Sequence, residues 1–303
     1  LKGRKLPKDV NFFKKQISQT ILKILVYILL IEFMFVFIFP FLYMFTNSLK
    51  SPLHLADMSS KWLVRNPQWD NYREAMDKMF YWRGLKNNLI VVISAALGQI
   101  LSCSFIAYGL ARFKFPGRNL IFGLIIFSLI IPPQVLVIPL YIQYSNLGML
   151  DTFWPIILPT FFGMGLKGGL FIFIFRQFFK SLPRELEEAA RIDGCSTFRT
   201  YANIVLPLAK SSILVTAILS VVWHWNDSFQ PSIYLMVPER SLLSMSLNLL
   251  MTNVKNVFQT AGGTIVSPLG MAGAILIILP LFIMYIFLQR KFTQGIERTG
   301  LAN

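Results

Sequence analysis

Six apolar runs, at about 24–46, 88–111, 119–143, 154–178, 211–235 and 269–289, take up most of this 303-residue chain. Each is long enough to cross about 30 Å of hydrocarbon, which needs roughly 20 apolar residues in a helix. Within a bilayer every backbone N–H and C=O has to be satisfied by the protein, so such runs fold as helices or as a closed barrel. The period-two alternation of barrel strands is missing. An all-α polytopic membrane protein with six transmembrane helices follows. A composition of 55% hydrophobic and 14% charged residues is too apolar for an ordinary soluble domain.

The net charge of +15 is not a nucleic-acid footprint, because the Lys and Arg residues are strung along the loops instead of gathered on one soluble surface. With both termini on one side, nineteen of them fall there: seven before the first run, three in 112–118, six in 176–210 and three in the tail. Nine fall on the other side, and Lys167 lies within the fourth run. This bias predicts cytoplasmic termini. The expected organisation is a basic cytoplasmic segment over 1–23, resting against anionic lipid headgroups, a membrane domain over 24–289, and a cytoplasmic tail over 290–303. The first run exceeds a signal peptide's apolar core and has no small-residue cleavage pattern, so it is expected to be retained as an anchor.

Between the fourth and fifth runs, residues 181–207 form a polar island of helix-turn-helix length. Ser181 is expected to cap a helix with Pro183 in its first turn, and Glu185, Glu187 and Glu188 lie near the positive end of its dipole. Arg184 with Glu188, and Glu187 with Arg191, are four apart and read as solvent-side pairs, while Leu186, Ala189, Ala190 and Asp193 occupy another face. Gly194 suits a left-handed stop, Ser196 can cap a second helix, and Pro207 limits its continuation. A small amphipathic helix at the membrane surface can lie in the groove of a soluble partner. The alternative from physics alone is a solvated hairpin joining two runs.

The loops on the opposite side are 47–87, whose Trp62, Trp69 and Trp82 suit the membrane interface, and 236–268, longer than a simple turn requires. Pro132, Pro133 and Pro139 are expected to break or kink the third run. Toward the outer end of the fifth run, Trp223, Trp225, Asn226, Asp227 and Gln230 combine aromatic faces with amide and carboxylate groups, as sugar binding requires. A helix-breaking element tied to its neighbours by hydrogen bonds is the alternative. Lys167, flanked by Gly165, Gly168 and Gly169, either reaches an aqueous cavity, where it would attract an anionic sugar, or snorkels or pairs inside the bundle. Gln134 and Asn146 are further lining candidates, and Glu32 has no assigned role. Cys103 and Cys195 fall in different environments and are not expected to pair. No cluster has metal-ligand spacing. Gly-x-x-x-x-Gly-Lys-Ser/Thr does not occur, so no phosphate loop for ATP is present.

Glu188-Ala189-Ala190, three residues, Gly194, nine residues, then Ile204-Val205-Leu206-Pro207 resembles the signature loop of the membrane subunits of ATP-binding-cassette importers. The resemblance is to the second permease of the maltose and glycerol-phosphate type of carbohydrate importer. It extends through Pro67-Gln68-Trp69-Asp70-Asn71-Tyr72, Asn88, Ala107-Tyr108-Gly109-Leu110-Ala111-Arg112-Phe113, Ile131-Pro132-Pro133-Gln134-Val135, Phe175-Arg176-Gln177-Phe178-Phe179, Trp225-Asn226-Asp227 and Gln289-Arg290-Lys291-Phe292-Thr293-Gln294-Gly295. Glu297 to Asn303 depart from the usual end of the family.

The resemblance implies a permease in the bacterial inner membrane, paired with a second homologous permease, two cytoplasmic ATPases carrying ATP and Mg2+, and an external solute-binding protein that delivers a carbohydrate. No cofactor would be held by this chain. Glu187, Glu188, Ala189, Ala190, Asp193 and Gly194 would form the coupling helix. The rival is a proton-coupled secondary transporter using His224, Asp227 and Lys167, which leaves the cytoplasmic signature unexplained. An intramembrane enzyme would need converging acid, base or metal groups, and the sequence shows none.

Overall fold

A computed structural model describes residues 8–56, 62–255 and 267–300, and among them there are helices and no strands. In chain order these are α1 (Lys8–Ser48), α2 (Pro52–Ala56), α3 (Asp70–Lys78), α4 (Tyr81–Arg112), α5 (Arg118–Ser128), α6 (Pro133–Asn146), α7 (Trp154–Ile157) and α8 (Gly168–Ser181). They continue with α9 (Glu185–Ile192), α10 (Thr197–Thr200), α11 (Leu206–Leu208), α12 (Lys210–Asn226), α13 (Phe229–Tyr234), α14 (Leu243–Lys255) and α15 (Pro268–Gly300). The chain is an all-α membrane protein.

The first, second and sixth apolar runs form unbroken helices, with membrane-crossing stretches Gln19–Ser48, Tyr81–Arg112 and Pro268–Gln289. α1 begins at Lys8 and α15 continues to Gly300, so the backbone does not break at 23/24 or at 289/290. The remaining three runs are not the single helices their lengths suggest. α5 and α6 are bent by 100° where Pro132 and Pro133 withhold backbone donors. The fourth run is interrupted by a 3-10 turn (Leu158–Phe162) and by left-handed backbone at Gly163 (φ 72°), Gly165 (φ 83°) and Lys167 (φ 60°). The fifth run stops at Asn226, and the short stretch Thr197–Leu208 enters α12 at 77°.

The segment 236–268, read as a loop, contains a helix in its described part, α14. Leu243 and Leu250 of α14 are fully buried and pack with Ala75, Met79, Trp225, Leu269 and Ala272. Apolar side chains at 242, 243, 247 and 250 give α14 a core-facing side that its many Ser and Asn residues obscure. Residues 256–266, with Gly262 and Gly263, lie outside the described part. On the same end of the molecule α3 is tied to the end of α1: Asn71 Nδ2 donates to the carbonyls of Ser48 and Lys50 at 2.7 and 3.0 Å, and the hydroxyls of Ser48 and Tyr72 are 2.7 Å apart. Trp69 and Trp82 are exposed, and Trp62 packs edge-on to Phe39 and Tyr43.

α4 runs through the centre. Its buried face packs with α8 through Cys103, Ala107, Tyr108, Phe171, Phe175 and Phe179, and its first half packs with α12, α14 and α15. α1 buries little, and its residues from Ile21 to Leu42 are exposed, as a lipid-facing or subunit-facing helix requires. The polar residues of α4 hold the interrupted fourth run. Gln99 Nε2 donates to the Leu166 carbonyl at 2.8 Å, Ser102 Oγ donates to the Thr160 carbonyl at 2.6 Å and accepts from Gly163 N at 3.0 Å, and Cys103 Sγ donates to the Gly168 carbonyl at 3.6 Å. These bonds satisfy backbone groups that the break exposes. Gly98 permits the close approach: a Cβ there would overlap Thr160 Oγ1 and the Phe161 ring.

This packing predicts opposite effects for two glycines of one helix. Gly98→Ala is expected to lower the thermal midpoint of the purified protein by the equivalent of about 1–3 kcal/mol, the cost of overpacking. Gly109→Ala meets only Phe113 at 4.0 Å, and is expected to be neutral or to gain about 0.5–1 kcal/mol in helix propensity. Unfolding followed by intrinsic fluorescence in detergent checks both; equal midpoints for the two variants would contradict the assigned packing.

Candidate functional site

The polar island folds as two short helices at an angle, with one correction at its start. Ser181 does not cap α9: it belongs to the last turn of α8, and its hydroxyl donates back to the Phe178 carbonyl at 2.8 Å. Leu182 is extended, Pro183 sits in the link, and α9 begins at Glu185 without a side-chain cap. Its three glutamates lie in the first turn, where they favour the helix dipole. The stop is the one expected. Gly194 is left-handed (φ 78°), Cys195 N donates to the Ala190 carbonyl at 2.9 Å and Gly194 N to the Arg191 carbonyl at 3.0 Å, the paired bonds of a Schellman ending. Ser196 Oγ accepts from Arg199 N at 3.4 Å and caps α10, which passes into α12 through a π-helical turn (Tyr201–Val205) and α11.

Glu187 is not the solvent-side partner of Arg191. Its carboxylate turns inward to the last residue of α4, with Oε1 2.6 Å from Arg112 Nε, and the two side chains are only 8% and 6% exposed. The short contact is ionic and is not aligned as a hydrogen bond. Directional bonds surround it: Tyr108 OH donates to Glu187 Oε2 at 3.3 Å, and Arg112 Nη2 donates to the Leu182 carbonyl at 2.9 Å. Tyr201 adds a second tie, its hydroxyl 2.8 Å from Ser104 Oγ on α4. The α9–α10 element is thereby fixed to α4 as well as to its covalent neighbours α8 and α12.

With Glu187 and Ala190 turned in, the opposite side of the element displays Glu188, Ala189, Asp193 and Gly194. Ile192 is 86% exposed, and Leu186 and Phe198 are exposed beside it. Exposed large apolar groups among acidic and basic ones, held on a rigid mount, form a surface able to lie in a complementary groove.

The residues at the end of the fifth run are each engaged by near neighbours. Trp225 is buried against α15, its indole N–H donating to the Ile277 carbonyl at 3.2 Å. Trp223 packs on Phe171, with ring centroids 5.6 Å apart. Asn226 is exposed and donates to its own helix at the Val222 carbonyl. Asp227 Oδ1 accepts from the backbone N–H of Phe229 and of Gln230 at 3.0 and 3.3 Å and starts α13, and its own carbonyl accepts from Ser244 Oγ at 2.7 Å. His224 is buried and bonded to Ser220, whose hydroxyl donates to Gln99 Oε1 at 2.6 Å. Lys167 is exposed at the fourth-run break. Among the described residues no hydrogen bond or ion pair joins His224, Asp227 and Lys167, and no group of three His, Cys, Asp or Glu could hold a metal ion.

Arg112, Tyr108 and Gln99 are the residues whose roles sequence reading missed. Arg112 carried a signal: it is the first charge after a long apolar run, at the height of an acidic cluster that needs a counter-charge.

Residues 100–298 match the family described as "Binding-protein-dependent transport system inner membrane component". The chain is 32% identical over 216 residues to the sn-glycerol-3-phosphate transport system permease protein UgpE of Shigella flexneri serotype 5b, covering 71% of this chain and 73% of that protein. It is 31% identical over the same shares to UgpE of Escherichia coli strain K12. In three dimensions it is similar to a chain of a bacterial ABC transporter involved in the import of the acidic polysaccharide alginate, with a TM-score of 0.72, 23% identity, and coverage of 91% of this chain and 98% of that one. The signature loop, the match over two thirds of the sequence and the shared fold agree, and the chain belongs to the family of inner-membrane permease components of binding-protein-dependent transport systems.

Proposed function

We propose that this chain forms half of the translocation pathway of an ATP-driven carbohydrate importer and receives the force of ATP hydrolysis through α9. The observation that carries the reading is the mounting of that helix, with Glu187 bound inward to Arg112 while Glu188, Ala189 and Ile192 face out. A loop that only joined two helices would have no need of a buried ion pair to fix its orientation.

The partners in this reading are a second homologous permease, two cytoplasmic ATPases that bind ATP and Mg2+, and an external solute-binding protein. Both termini and the α9–α10 element lie in the cytoplasm, on the side that carries nineteen of the Lys and Arg residues. Closure of the ATPases moves α9, and the buried pair passes that displacement to α4 while the chain itself passes it to α8 and α12. An ATP-dependent shift between inward-open and outward-open states needs different contact energies in the two states, and α9 is the segment that would sense the difference. A carbohydrate cargo is supported by relatives named for glycerol phosphate and for alginate. Both of those cargoes are acidic, which favours Lys167 over the buried Trp225 as a pathway residue. The proton-coupled alternative leaves the mounted α9 element without a role.

Three outcomes are expected. Glu188→Lys, and Gly194→Pro, which cannot adopt φ 78°, should each abolish ATPase co-purification while membrane insertion persists; retention of the ATPase and of uptake in both variants would sink the proposal. Glu187→Gln leaves the Arg112 charge buried without a partner, a loss of about 3–5 kcal/mol, whereas combining it with Arg112→Gln removes both charges and should recover much of that. A double-mutant cycle read by thermal midpoint and by transport per ATP hydrolysed measures the coupling, and additive losses would show that the pair is not a unit. In proteoliposomes holding the full complex, uptake should require internal ATP and the external binding protein and should survive collapse of the proton gradient; a loss of uptake on collapse would favour the rival.

A further inference from the structure

The turn joining α4 to α5 carries a feature that force transmission does not use. Lys114, Phe115, Gly117, Arg118, Asn119 and Leu120 line a cavity of about 290 Å3. Nearby is Arg176 of α8, a residue only 5% exposed, whose Nε donates to the Leu110 carbonyl at 3.4 Å and whose Cζ sits 3.7 Å from the centre of the Phe122 ring. Arg118 lies within electrostatic reach of Arg176, and both lie within reach of Lys180. Arg118 itself donates to the Phe113 carbonyl and to Asn119 Oδ1.

Four cations therefore share one corner, and among the described residues none of the four has a carboxylate within ion-pair distance; the side-chain ion pairs of the described residues lie elsewhere, Lys78 with Glu74 and Arg112 with Glu187. A buried guanidinium with like charges around it and no counter-charge is costly. An anion from outside the chain would remove that cost. Directly beyond the recess, α5 presents Leu120, Ile121, Leu124 and Phe127, all exposed and on one helical face. An acidic protein surface would match the cations but not this apolar face. A molecule with an anionic head and hydrocarbon tails matches both.

We propose that this recess binds the headgroup of an anionic phospholipid, with Lys114, Arg118 and Lys180 around the phosphate, Arg176 nearby, and the acyl chains lying along α5. Neutral phospholipid lacks the net charge that the site needs. Basic pockets between membrane helices take anionic headgroups on the same principle.

The test uses the full-length chain with its co-expressed partner subunits in detergent, incubated with dioleoylphosphatidylglycerol or dioleoylphosphatidylcholine and examined by native mass spectrometry. Phosphatidylglycerol is expected to stay bound and phosphatidylcholine to be lost. Lys114→Gln with Arg118→Gln is expected to weaken retention about tenfold or more, since each cation near a charged lipid contributes about a fivefold factor. Arg83→Gln with Lys86→Gln, at the other end of α4, removes the same charge and should change nothing. Lys180→Gln, an exposed position, gives a second reading if the double variant does not fold. Equal retention of the two lipids, or equal loss from both double variants, would overturn the proposal. Displacement of phosphatidylglycerol by millimolar inorganic phosphate would assign the site to a soluble anion. Loss of a partner subunit from the Lys114 and Arg118 variant with lipid retention unchanged would assign it to a protein contact, and either result also overturns the lipid site.

Discussion

A membrane protein cannot leave backbone polar groups facing hydrocarbon, and in this fold that constraint falls most heavily on the fourth apolar run. The run breaks within its length, and the polar groups freed between Thr160 and Gly168 are taken up by Gln99, Ser102 and Cys103 of α4. Their spacing suits this role: residues 98, 99, 102 and 103 share one face of a helix, and Gly98 lets that face approach the break. α4 can do this because it is itself unbroken from Tyr81 to Arg112. Gln99 also accepts from Ser220 of α12, so one buried amide ties the broken run and the fifth run to the same helix.

The lower end of that helix is the mount for α9. Desolvating Arg112 and Glu187 works against stability unless each charge finds its partner and further hydrogen bonds, and the Tyr108 hydroxyl and Leu182 carbonyl supply those bonds. Such a pair tolerates little displacement, since separating its members strands two charges in an apolar setting. A push on α9 is therefore more easily accommodated by moving α4 with it than by opening the pair. Because α4 also braces the fourth-run break, a displacement of its end would carry to the interrupted segment near Lys167.

Much of this was legible beforehand. Run lengths set the helical class, and Gly194 and Ser196 announced the stop and restart between α9 and α10 because their local chemistry leaves few alternatives. Breaks were harder to read. Pro132 and Pro133 signalled one, but the interruption at 158–167 depends on Gly163, Gly165 and a left-handed Lys167, and glycines within apolar membrane helices are common enough to carry little information alone. α14 was hidden for the opposite reason: its Ser and Asn content reads as loop, while its burial is decided by neighbours from α3 and α15 that are distant in sequence.

Glu187 shows where one-dimensional reasoning fails at the site itself. Its four-residue spacing from Arg191 made a surface pair plausible, and such a pair in water contributes only about 0.3–0.5 kcal/mol. Arg112, seventy-five positions earlier, offers a partner in a low-dielectric setting where leaving the charge unmatched costs several times more. The stronger of the two pairings decides the rotation of α9 about its axis, and with it which residues are displayed. Turning Glu187 and Ala190 inward leaves Glu188, Ala189 and Ile192 outward, so the face offered to a partner is set by an interaction in which none of those three residues takes part.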